Sequence, residues 1–126
     1  MHACSSRSAQ WGDRQDDVIE RLGEMGARDA DVAVVAHKSR YLRGRSNDEM
    51  DAHFWAGAAR VGVTDLPSYP SELDALQALV AQASPGDVVA LMCHEQRQAV
   101  YDWLAGDGFM PDTPETLRDK VRTARA

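Results

Sequence analysis

Two short apolar runs, DVAVVA at 31–36 and VVALM at 88–92, constrain the fold of this chain more than any other feature. Each is continuous rather than alternating, the pattern of a strand covered on both faces, and such strands belong to parallel sheets with helices above and below. The segments around them carry apolar residues at helical spacing. In DDVIERLGEMGA these are Val18, Ile19, Leu22 and Met25, with Asp16 and Asp17 in the first turn, where carboxylates suit the helix dipole. In NDEMDAHFWAGAARVG (47–62) they are Met50, Phe54, Ala58 and Val61, and Gly62 suits a C-terminal stop. SELDALQALVAQAS sets Leu73, Leu76, Leu79, Val80 and Ala83 on one side, and EQRQAVYDWLAGDG turns Val100, Trp103 and Leu104 inward. Strands alternating with helices predict an α/β fold with a mainly parallel sheet.

The sheet is short. TDLPSYP (64–70) offers one more extended piece, confined to an edge by Pro67 and Pro70. With two full strands and this fragment, the sheet falls below the usual four to six, and the deficit lies on the N-terminal side, where no strand precedes GDR at 12–14. The polar start, residues 1–11, has almost no β-branched content and reads as a disordered segment without a secretory apolar core. Residues 12–126 read as one domain, closed by a C-terminal helix over 113–126 with a Thr113 cap, Pro114 at the first helical position, and Leu117 and Val121 for docking.

Composition excludes some classes of partner. A net charge of -6 gives no footprint for nucleic acid, and no apolar stretch reaches the roughly 20 residues that a membrane span needs. The only cysteines, Cys4 and Cys93, form no CxxC and no disulfide framework, so the expected compartment is the cytoplasm.

In a parallel sheet, ligands collect beyond the carboxyl ends of the strands, and the reactive residues of this chain fall there. After the first strand comes HKSRYLRGRS (37–46), with His37, Lys38, Arg40, Arg43 and Arg45; after the second comes Cys93-His94-Glu95; before the first helix stand Gly12, Asp13 and Arg14. A zinc site from Cys93, His94, Glu95 and His37 is disfavoured, because adjacent residues at a strand end point in opposite directions and no second spaced pair exists. A Cys93–His94 nucleophile suffers from the same adjacency. An anion or amino-acid pocket uses all three loops: Arg14 and Arg43 would hold a carboxylate and Glu95 an amino group. Against it stand plainer structural readings: a solvated arginine loop, a core cysteine, and His94-Glu95 as a helix-start cap or pair.

GDRQDD, a helix, DVAVVA, the YLRGRSNDEM loop and PGDVVALMCHE follow in an order that resembles the C-terminal domain of the Mur ligase superfamily, nearest its cyanophycin-synthetase-like branch. The likeness spans roughly residues 12 to 104. It implies an incomplete Rossmann-like, three-layer α/β domain. Members of that superfamily use ATP to activate a carboxylate as an acyl phosphate, which an incoming amine attacks; the central domain holds the nucleotide and the C-terminal domain helps bind the incoming amino acid. By that resemblance Arg14 and Arg43 would contact the amino acid's carboxylate, with Arg45 a further candidate, Glu95 would lie near its amino group, and His94 near the nucleotide.

The departures set the expected activity. MCHE stands where the family has GKGHE, the family's first strand is missing, and no GxxxxGK[ST] phosphate loop exists in the chain. The resemblance therefore implies a truncated or stand-alone amino-acid-binding part of a ligase, not catalytic alone, with catalytic residues unassigned. ATP and Mg2+ would enter only with a partner or missing central domain, and none would be bound by this chain alone. The alternative is a noncatalytic interaction module that pairs, as a homodimer for example, through an exposed sheet edge. A small Cys93-dependent enzyme is a third reading.

Overall fold

The computed structural model describes residues 16–38, 42 and 44–126. Its best-packed part is a pair of helices, α1 (Asp16–Arg28) and α2 (Asn47–Ala59). Two glycines let them approach backbone to backbone. A Cβ added to Gly57 would run into the main chain of Glu20, and one added to Gly23 would meet the main chain of Phe54. Ser46 caps α2 by accepting from the Glu49 amide at 3.1 Å, and Gly62, at φ +82°, turns the chain beyond the helix. Ile19 and Ala58 are fully buried, and Ala27, Val35, Ala58 and Leu66 form a core against which Phe54 and Val61 pack.

The sheet is smaller than the sequence predicts. β1 is Val35–Ala36 and β2 is Ser68–Tyr69, paired in parallel with Val35 opposite Ser68. The Val35 amide donates to the Pro67 carbonyl at 2.8 Å and the His37 amide to that of Tyr69 at 3.0 Å. The short extended piece at 64–70 is thus the strand that pairs, as its proline-bounded edge position suggests. By contrast, the expected strand over 31–36 enters the ladder only at its last two residues, and Val32 is half exposed.

The expected fully buried strand over 88–92 is the larger correction. No backbone hydrogen bond joins it to β1 among the described residues, and Val88 is 92% and Met92 62% exposed. The apolar run has the composition of a central strand, but none of the described residues pairs with it.

Helix α3 (Glu72–Gln82) begins at a Ser71 cap that accepts from the Asp74 amide, and it buries Glu72, Ala75 and Leu76. Its expected stripe is rotated, since Leu79 and Val80 are only partly covered and Ala83 is exposed. Helix α4 (Arg97–Gly106) buries Val100, as its pattern predicts. Helix α5 (Pro114–Arg125) has the predicted Thr113 cap and Pro114, but Leu117 and Val121 are exposed and the helix buries no residue. The docking expected of it is not present.

The described residues form a small α/β fold with a two-stranded parallel sheet. None of their helices is long and apolar enough to cross a membrane.

Candidate functional site

One carboxylate organises the end of the molecule where β1 and the 88–92 segment run out. Glu72 is fully buried. Its Oε2 accepts from Lys38 Nζ at 2.5 Å and from the His94 amide at 2.7 Å. Its Oε1 accepts from the Glu95 and Gln96 amides, both at 2.9 Å, and from Cys93 Sγ at 3.2 Å. Lys38, itself buried, also donates to the Met92 carbonyl at 2.9 Å.

The local sequence explains the geometry. A helix start leaves amides without intrahelical partners, and an anion placed there is stabilised by the dipole. Gln96 occupies the cap position of α4 but makes no side-chain capping bond. Glu72, from the first turn of α3, instead accepts from the amides of the turn that leads into α4. Gln96 in turn accepts from the Leu73 amide through Oε1 at 2.9 Å. Gln96 thus caps α3, Glu72 holds the turn into α4, and Lys38 fastens the pair to β1.

Burial by itself would raise the Glu72 pKa. The Lys38 ammonium and the three amides outweigh it and hold the carboxyl down to about 2. The same arrangement works the other way on Cys93. Burial first, and then the hydrogen bond to the Glu72 carboxylate and its charge, push the thiol up from its ordinary value. A reactive cysteine needs the opposite shift; in this structure the Cys93 thiol donates to Glu72.

Two further charged groups lie nearby. His37 Nε2 sits 3.0 Å from both oxygens of the buried Asp51 carboxylate, which ties the end of β1 to α2. Along α1 and α2, Asp16 meets Arg45 at 2.5 Å and His53 at 3.3 Å, while Glu20 meets His53 at 2.9 Å and also Arg60. The Arg45 hydrogen bond is the chief reason the Asp16 carboxyl lies below its usual range.

The sequence-derived site divides accordingly. Arg14 and Arg43 lie outside the described residues, as do Cys4, Asp13 and Arg40. Arg45 bonds to Asp16 on α1. His94 and Glu95 are partly buried, with their amides fixed on Glu72. The loop after β1 and the loop after 88–92 do meet, through Lys38, Met92 and Glu72. Among the described residues, no three His, Cys, Asp or Glu side chains gather as metal ligands.

Sequence reasoning missed Glu72 and Asp51. Glu72 follows the Ser71 cap and looks like an ordinary first-turn acid; nothing local marks it as the anchor of the turn that leads into α4.

A second feature is a cavity of about 580 Å³ between β1 and the 88–92 segment. Leu22 and Ala27 of α1 and Ala75 and Leu79 of α3 contribute to its lining, together with Val34 and Leu91. Asp29, Asp31 and Asp87 also line it.

No family model, curated protein or solved structure matches the chain.

Proposed function

We propose that this chain is an amino-acid-binding α/β domain of the Rossmann-like type. Within that class we assign it to the C-terminal domain of a Mur-type acid–amino acid ligase, acting in the cytoplasm. The supporting observation is that the loop after β1, which bears the cation-rich 37–46 segment, and the turn after 88–92, which bears His94 and Glu95, are fastened together through Lys38 and Glu72. In this reading Arg14 and Arg43 hold the carboxylate of the incoming amino acid, Arg45 borders it, and Glu95 receives its amino group. His94 faces the nucleotide side.

ATP and Mg2+ belong to a separate central domain. The chain has no phosphate loop, and the amides of His94, Glu95 and Gln96, just before α4, are taken by Glu72. Calorimetric titration of the purified chain with acidic and basic amino acids tests the pocket. Saturable binding that Arg43→Ala abolishes is the expected result; absence of binding, or binding indifferent to that substitution, refutes it.

A second reading, a noncatalytic module that pairs through the sheet edge, is favoured by the edge of β1 itself. Val35 and His37 point their amides at β2, so alternation turns the backbone groups of Val34 and Ala36 to the other side. No further strand meets them there among the described residues. Hydrogen exchange tests this. If the Val34 and Ala36 amides are already protected in the isolated monomer, the edge is not open and the reading fails.

A further inference from the structure

We propose that the cavity between β1 and residues 88–92 is a slot for one extended strand from another polypeptide, apolar along its length and cationic at its N-terminal end. The proposal rests on the sheet-edge reading and names the partner that reading requires.

The walls of the slot are those of a vacant strand position. Val34 and Ala36 turn their backbone groups into it from one side, and residues 88–92 border the other without a backbone bond to β1. Direction follows from the ends. Asp87 shares the cavity with Asp29 and Asp31, which precede β1, while the Met92 carbonyl meets the side chain of Lys38, which follows it. The 88–92 segment therefore runs the same way as β1. Residues of both α1 and α3 line the space that an entering strand would take, and strands of parallel sheets are covered by helices in this way. Five residues facing 88–92 would extend about 17 Å at the usual strand rise.

Charge selects the occupant. Three exposed aspartates stand at the N-terminal mouth, the lining beyond them is mostly apolar, and Lys38 and His37 line the far end. A strand parallel to β1 places its first residues among those aspartates, so Lys or Arg there is favoured and Asp or Glu is rejected. A second copy of this chain fits poorly. Its own exposed apolar run begins with Asp87, and the two copies would each carry a charge of -6. The arrangement is β-strand addition, in which main-chain bonds give affinity and alternate side chains give selectivity.

The probe is the capped peptide acetyl-Lys-Lys-Val-Val-Ile-Val-Gly-amide, added to the full chain and followed by hydrogen exchange and fluorescence anisotropy. Saturable binding with new protection at Val34, Ala36 and 88–92 is expected. Moving the lysines to the C-terminal end of the peptide should weaken binding about tenfold, as should Asp31→Asn combined with Asp87→Asn. N-methylation of alternate peptide amides should abolish it. Edge amides that exchange freely but gain no protection from the peptide overturn the strand slot while leaving an open edge in place. Edge amides already protected in the isolated monomer remove the sheet-edge reading as well, and loss of that protection on deleting residues 1–15 would make this chain's own start the occupant. Protection that appears only with a sedimenting dimer would assign the slot to a second copy, and would also overturn the proposal.

Discussion

Replacing Glu72 by Gln should cost the native state about 3–5 kcal/mol at neutral pH, because it leaves the buried Lys38 ammonium without its counter-charge. The titration of Glu72 gives a consistent figure. Its carboxyl falls from an ordinary 4.5 to about 2 in the fold, and at about 1.4 kcal/mol per pH unit this is worth about 3 kcal/mol. The sign follows from the depressed value: the contribution is fully present above pH 4.5 and is lost as pH falls towards 2. Gln also supplies one oxygen where two are used. Whichever way its amide turns, an NH2 group faces either Lys38 and the His94 amide or the Glu95 and Gln96 amides. Urea unfolding of both proteins from pH 7 to pH 2.5 measures the gap. It should be near its maximum above pH 5 and shrink on acidification. Lys38→Met added to Glu72→Gln should recover part of the loss, since the stranded charge is then gone. A gap below about 1 kcal/mol at pH 7, or one that stays constant down to pH 2.5, refutes the reasoning.

Other substitutions probe other links of the structure. Gly57→Ala should destabilise by more than about 2 kcal/mol, because its methyl meets the main chain of Glu20, whereas Gly26→Ala, in the same helix pair but with open space around it, should stabilise by about 0.5–1 kcal/mol; thermal melting separates them. In a Cys4→Ser background, Cys93 should react with iodoacetamide at pH 7 far more slowly than a free thiol, and unfolding in urea should remove the difference. Deleting residues 113–126 should change the unfolding free energy by less than about 1 kcal/mol, since α5 buries none of its residues.

The helices were largely legible because their signals are local. The Thr113 cap, Pro114, and the Met50–Ala58 stripe each follow from residues within one or two turns. Strand signals failed for the opposite reason. Residues 88–92 have the composition of a buried strand, but burial needs a neighbour, and no local pattern reports whether one is supplied. The site shows the same division. Sequence order brought His94 and Glu95 to a strand end beside the cation-rich loop, and the structure ties those two loops together. Glu72, which does the tying, bonds across 22 to 34 residues to groups on β1's far side and before α4. Such a partner is found only when three elements are seen in space.

The bonds that join the starts of α3 and α4 have a mechanical consequence. The turn into α4 cannot open without releasing its amides from Glu72, and α3 cannot unwind its first turn without freeing the Leu73 amide from Gln96, so the two starts open and close as one latch. His94 and Glu95 ride on that latch. A molecule that grips them will therefore be felt at Lys38, and a partner that displaces β1 will be felt at them in return.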